Sequence, residues 1–184
     1  MTASVPKMRR IAVFDVDGRS RAILDDIPVA GVIDPARPGF QATTYWVSSE
    51  APVVISTPGD VDCPETLEPP PDGSLCRVVT FPPESAFVDD VTADDVADYF
   101  ASVGAEHCST YSPGSGHPYM HKTETLDFCM VISGEITLVL DNEEVDLEAG
   151  DTVVQRGTNH AWSNRSDSAC VVVIASHDAR GSAV

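Results

Sequence analysis

An all-β sandwich or barrel is the fold class this sequence predicts, and three observations predict it. Short β-type runs, among them ITLVL and VDL, follow one another closely up to Ile174, with turn residues between them. Runs of that length, closely spaced and joined by polar turns, read as strands of antiparallel sheets. A single stretch, VTADDVADYFASVG, carries convincing helical periodicity. Finally, potential ligands stand at both ends of the segment 117–164: His121 and Asp127 in its first part, His160 in its last. They meet only if the sheet folds back on itself.

The 184 residues suffice for one domain with a sizeable core and are too few for two ordinary ones. A formal net charge of -18 excludes nucleic acid as a partner, because a phosphate backbone needs a basic face. An anionic membrane surface is disfavoured for the same reason, and no apolar run approaches the ~20 residues that span a bilayer. The opening MTASVPKMRR is followed by no apolar core, since Asp15 and Asp17 interrupt IAVFDV, so no signal peptide is read and a cytoplasmic location is expected. The five cysteines, Cys63, Cys76, Cys108, Cys129 and Cys170, are odd in number and form no CxxC pair, which fits reduced thiols.

Taken in order, residues 1–10 read as a flexible tail. IAVFDV and RSRAIL flank Asp17-Gly18, a dipeptide suited to a tight hairpin because it tolerates positive φ. FDVDG there resembles the nucleophile motif of haloacid dehalogenases, but the βαβ pattern that family needs is missing, and the hairpin reading is preferred. ATTYWV, PVVIS and LCRVVTF read as strands, and residues 58–73 as a Pro- and acid-rich loop that neither helix nor central strand accommodates. In the helix, Thr92 is the expected cap with Asp95 three residues on, Val96, Phe100 and Val103 line one stripe, and Gly104 ends it. A Gly/Pro/Ser loop then leads to the strands of residues 105–176, and 177–184 reads as a second flexible tail. Residues 11–104 are expected to pack on the barrel within one structural domain.

Strand alternation places residues two apart on one face. His121, Thr123, Thr125, Asp127 and Cys129 then share a side, as do His160, Trp162 and Asn164. Two imidazoles and a carboxylate pointing into a β core need partners against desolvation, and a divalent metal is the strongest available. His121, Asp127 and His160 are the candidate metal ligands, with Fe, Zn, Ni or Mn all compatible and a metal-free, hydrogen-bonded set the alternative. Asp127, His117 and Tyr119 are candidates for proton transfer. Thr123, Cys129, Trp162, Tyr111 and Arg156 are candidates for contact with a small-molecule substrate: Trp162 as a flat wall, Arg156 for a carboxylate.

The same segment resembles the cupin superfamily. Its first motif is matched by His121, by Asp127 at the Glu position and by Gly134; its second by Gly150, Gly157, His160 and Asn164, with Gln155 where Pro is usual. Thr123 replaces the second histidine of the first motif. The wider pattern, including SGE and VVQRGTNHAW, is similar to small single-domain cupins found near natural-product genes, in which that Thr is typical. The resemblance implies a double-stranded β-helix, the cupin jelly-roll barrel, with an N-terminal strand extension and one short helix. It also implies a homodimer paired through N-terminal strands, and a tailoring enzyme acting on polyketide-like or other small oxygenated molecules. Three readings stay open: Lewis-acid dehydration, decarboxylation or isomerisation; a non-haem iron oxygenase or oxidoreductase on the same residues; and a non-catalytic small-molecule-binding module.

Overall fold

Alternating apolar residues and a two-residue turn make Arg10–Val16 (β1) and Arg19–Asp26 (β2) an antiparallel hairpin in the computed structural model, which describes residues 8–29, 31–55 and 65–181. Asp17 and Gly18 carry φ of 53° and 73°, and the Asp15 carboxylate accepts from the Gly18 N–H at 2.7 Å. Asp15 is thus a turn residue, as the hairpin reading requires. The expected N-terminal tail is shorter than residues 1–10: Arg10 lies in β1, its guanidinium on Asp26 and on the Tyr45 carbonyl, and the Tyr45 hydroxyl donates to the Met8 carbonyl. Residues 1–7 lie outside the described residues, as do Cys63 and most of the first half of the Pro-rich loop.

Val32–Ile33 (β3), Gln41–Ser48 (β4), Ser74–Phe81 (β5), Thr125–Ser133 (β6), Thr152–Arg156 (β9) and Cys170–Asp178 (β11) build a six-stranded antiparallel sheet. Its order is β3-β4-β5-β11-β6-β9. Glu135–Leu140 (β7), Glu144–Glu148 (β8) and His160–Ser163 (β10) make a second sheet, ordered β10-β7-β8. Strands adjacent in space but distant in sequence, such as β5 beside β11, are the folded-back arrangement of a jelly roll. The core lies between the sheets: Val79, Phe81, Cys129 and Val131 from the first pack in one cluster with Ile136, Leu138, Leu147 and Trp162 from the second.

Two expectations are corrected. Residues 53–55 of PVVIS form no strand and are exposed, because β4 ends at Ser48 opposite Ser74, the first residue of β5, which leaves no ladder for them to join. The C-terminal tail also begins later than residue 177: His177 and Asp178 pair with Leu126 and Thr125, and the Ala179 N–H donates to the Glu124 carbonyl. Residues 182–184 lie outside the described residues.

The helix, Ala93–Ser102 (α1), has the predicted cap completed in both directions: Thr92 Oγ1 accepts from the Asp95 N–H at 3.2 Å, and the Asp95 carboxylate accepts from the Thr92 N–H at 2.9 Å. Val96, Phe100 and Val103 are buried, so the stripe closes one side of the barrel. At the turn joining β6 to β7, Gly134 has φ of 81°, and a Cβ there would meet the Ala169 carbonyl oxygen at 2.8 Å. That position requires glycine. No helix among the described residues is long and apolar enough to cross a membrane.

Candidate active site in the barrel

The alternation predicted for β6 is what the structure shows: Thr125, Asp127 and Cys129 point inward and are buried, and Thr123 just before the strand joins them. Opposite, His160 and Trp162 of β10 are buried as well. With His121 they line one internal cavity of about 70 Å³. Tyr119, Phe40, Phe81, Tyr99, Phe100, Arg37 and Arg77 complete most of its wall.

His121 stands outside the named strands but makes an isolated antiparallel bridge to His160. Each backbone N–H donates to the other's carbonyl at 2.9 Å, and the ring centroids are 4.3 Å apart. His121 Nδ1 is 3.0 Å from the Tyr119 carbonyl and His160 Nδ1 is 2.9 Å from the Thr158 carbonyl. A carbonyl oxygen only accepts, so Nδ1 carries the proton in both rings and Nε2 keeps its lone pair. Neither Nε2 has a hydrogen-bond partner among the described residues. Burial, then the neighbouring His160, pushes His121 down to about 3, and burial lowers His160. Both imidazoles are neutral near pH 7.

Asp127 ends a chain of hydroxyls: Thr123 Oγ1 lies 2.7 Å from Thr125 Oγ1, which donates to Asp127 Oδ2 at 3.0 Å. Because Thr125 donates onward, Thr123 donates to it. Asp127 Oδ1 is buried with no partner. The residue standing where a second histidine was expected thus begins a relay that ends on a carboxylate with one free oxygen.

A neutral imidazole that donates Nδ1–H to a carbonyl and offers Nε2 is the state of a metal-binding histidine, and the pair fits a divalent cation on that ground. Asp127 shares the cavity, but the three expected ligands do not bring donor atoms within 4.8 Å of one another. Among the described residues the trio that does so is Glu68, His107 and Cys108, outside the cavity. Asp is one methylene shorter than the Glu of the motif, which is a physical reason for its carboxylate to fall short.

Several expected contacts are placed differently. His117 is buried, yet it faces away from the cavity: its Nδ1 accepts from the Tyr119 N–H at 3.1 Å, and its Nε2 lies 3.5 Å from Glu84 Oε2. The Glu84 carboxyl is held below its usual range by His117, with Ser163 adding to the effect. Tyr119 does line the cavity, but its hydroxyl donates to Asp34 at 2.9 Å, and burial raises its phenol. Tyr111 is exposed and Arg156 faces outward from β9; neither reaches the cavity, because loop and strand turn those side chains to solvent. Cys129 lines it as a neutral thiol, pushed up to about 12 by burial and Asp127, and so serves as apolar wall.

Arg37 and Arg77 are the residues that sequence reasoning missed. Arg77 had a signal: by alternation in β5 it shares the inward face of Leu75, Val79 and Phe81, a charge on an apolar stripe. Arg37 had a weak one, Asp34 and Phe40 three positions to either side, but its other aromatic neighbours, Tyr99 and Tyr119, come from distant parts of the chain.

Residues 108–176 match the family model for the cupin domain, Cupin_2. Phomopsin biosynthesis cluster protein C' of Diaporthe leptostromiformis is 55% identical over 58 residues, which are 31% of this chain and 30% of that protein. Oryzines biosynthesis cluster protein J of Aspergillus oryzae is 49% identical over 57 residues, 30% of this chain and 31% of that protein. The cupin-domain-containing oxidoreductase virC of Hypocrea virens is 30% identical over 129 residues, 67% of this chain and 50% of that protein. The chain thus spans half or less of the length of these curated relatives. A Cupin 2 conserved barrel domain protein from Salinispora arenicola aligns over 82% of each chain, at 12% identity and a TM-score of 0.42.

Proposed function

We propose that this chain, whose residues 108–176 match the cupin domain, is a small cupin and a tailoring enzyme for a small oxygenated molecule, with a divalent metal held by His121 and His160 and a proton carried by Asp127. The observation that supports this most is the pairing of two neutral imidazoles, each with Nδ1–H fixed and Nε2 free, in one cavity with a carboxylate oxygen that has no partner. A metal bound there supplies a Lewis acid for a carbonyl or carboxylate oxygen.

The protein's own groups supply the rest. Asp127 Oδ1 takes a proton from the substrate, while Thr125 holds Oδ2 in place and Thr123 extends the hydrogen-bond chain behind it. Phe81, Phe100 and Trp162 hold the substrate body and keep water from the reacting atoms. Dehydration and isomerisation need that combination of a polarised oxygen and a positioned base, whereas decarboxylation needs the polarised oxygen and a proton returned to the carbon that loses carbon dioxide.

A second reading, an oxidoreductase on the same residues, is favoured by the names of two relatives, the cupin-domain-containing oxidoreductases virC of Hypocrea virens and fogC of Aspergillus ruber. Oxygen uptake during turnover by iron-loaded protein separates the two. Turnover without oxygen consumption supports proton chemistry, and stoichiometric uptake overturns it. Loss of bound metal in His160→Ala, against a full equivalent in the parent protein, tests the histidine pair under either reading.

A further inference from the structure

We propose that the barrel cavity selects a small carboxylic acid, its carboxylate held by Arg77 and Arg37 and its other end presented to the histidine pair. This names the recognised group of the substrate proposed above. It rests on that reading only for the claim that the bound molecule reacts.

The chain carries 11 Lys and Arg against 29 Asp and Glu, so positive charge is scarce. Two of those 11 are buried to 6% exposure and line this cavity. A buried guanidinium costs several kcal/mol unless paired, and the two are paired very differently. Arg37 is locked: its Nε donates to Asp34 Oδ2 at 2.6 Å, and its Cζ stands 3.7 Å from the ring centres of Phe40 and Tyr119 and 4.2 Å from that of Tyr99. Asp34 is fixed in turn by the Tyr119 hydroxyl and the Ala36 N–H. One nitrogen of this rigid group, Nη2, is buried without a partner.

Arg77 lacks even that compensation. Its Nη2 donates to the carbonyls of Thr66 and Leu67, its Nε is buried without a partner, and no carboxylate oxygen lies within ion-pair distance of it among the described residues. Asp127 pairs with neither arginine; its Oδ2 is taken by Thr125. A backbone clamp on Thr66 and Leu67 explains Nη2 and leaves Nε unexplained. A carboxylate is the ligand that satisfies donors on two guanidiniums, because Arg offers fixed, planar N–H groups that match it. Burial makes each such bond stronger than in water. Rings of Phe40, Phe81, Tyr99, Phe100 and Trp162 supply the apolar walls, and the volume of about 70 Å³ suits a body of a few heavy atoms.

The test uses full-length protein stripped with chelator, so that no metal contributes to binding. Acetate, propionate, acetamide and propionamide are titrated by calorimetry at pH 7. The acids are expected to bind at least about tenfold more tightly than their amides. Arg77→Met is expected to erase that preference, bringing the acid-to-amide affinity ratio to within about twofold of one. Equal affinity for acids and amides, no binding by any of the four, or an acid preference unchanged in Arg77→Met overturns the proposal. If Arg77→Met does not fold, the acid-to-amide ratio of the parent protein still decides. Metal content of His160→Ala is a separate measurement: a full equivalent retained there, with acid preference intact, sinks the metal reading and leaves this one standing.

Discussion

His121 and His160 exchange two backbone hydrogen bonds of 2.9 Å and hold their rings 4.3 Å apart, although 39 positions separate them in the chain. A hydrogen-bonded antiparallel pair fixes the spacing and direction of its side chains. The pair is therefore set by the sheet, before any ligand arrives. With Nδ1 of each ring tied to a carbonyl, rotation about the ring is restricted as well. That is preorganisation of two Nε2 lone pairs.

If this pair holds metal, removing either imidazole removes it. His121→Ala and His160→Ala are each expected to lower metal affinity by at least about 100-fold, as loss of one of few ligands should. Elemental analysis of protein purified without chelator measures this, with circular dichroism to show that the variants fold. Retention of a full equivalent in both variants would place the metal elsewhere, and Glu68, His107 and Cys108 would be the next residues to replace.

Asp127 has a different expected signature. Asp127→Asn keeps the shape and the bond from Thr125 but cannot take a proton, so kcat should fall about 100- to 10,000-fold while bound metal stays at the parent level. Thr125→Val, which removes the fixing bond, should give a smaller loss of roughly tenfold and shift the pH profile of kcat. Metal lost in parallel with activity in Asp127→Asn would instead mark the carboxylate as a ligand.

Much of this was legible in the chain. Alternation from Thr123 to Cys129 reads directly because β6 is regular and one face of it is dry. The helix cap and the Asp17-Gly18 hairpin read for the same local reason: the residues that make them are neighbours in sequence. His117 and Tyr111 misled because a loop carries no periodicity, so only tertiary contacts, such as Glu84 beside His117, decide where its side chains point. Arg77 broke an apolar stripe and could have been seen. Arg37 was harder to see, since Asp34 and Phe40 lie three positions away but Tyr99 and Tyr119 reach it only through the tertiary fold.

The cysteines give a chemical prediction. Burial pushes Cys108, Cys129 and Cys170 each up to about 12, and a thiol at that value is inert near pH 7. Iodoacetamide labelling of native protein, read by peptide mass spectrometry, should leave these three unmodified, whereas labelling in urea should modify all of them. Rapid native alkylation of Cys129 would restore a nucleophilic role that the structure argues against.

Gly134 tests the fold that supports the site. Its φ of 81° costs a residue with a side chain about 1 kcal/mol, and the Cβ of Gly134→Ala would stand 2.8 Å from the Ala169 carbonyl oxygen and 2.9 Å from Cys170 Cα, both backbone atoms. The turn must shift, and β6, β7 and β11 shift with it. A loss of about 2–4 kcal/mol in urea unfolding is expected. A loss below about 0.5 kcal/mol would show that the turn relaxes freely.

Stability against pH checks the buried imidazoles themselves. Both histidines are lowered in the folded state, His121 to about 3, mainly by burial, while an unfolded histidine titrates near 6.5. Below about pH 6.5 the unfolded chain therefore binds protons that the native state refuses, and stability falls as pH falls. Arg37 and Arg77 face His121 with the same sign and deepen the effect; Asp127 opposes it at His160. In chelator-treated protein, His121 should contribute up to one proton taken up on unfolding between about pH 6 and pH 4.5, or about 1.4 kcal/mol per pH unit, and His160 adds to the slope in the same direction. His121→Asn should remove that proton from the slope, and His160→Gln should lower the slope further. A slope unchanged in both variants would mean that the native rings titrate like exposed ones, and that the cavity admits water freely enough to charge them.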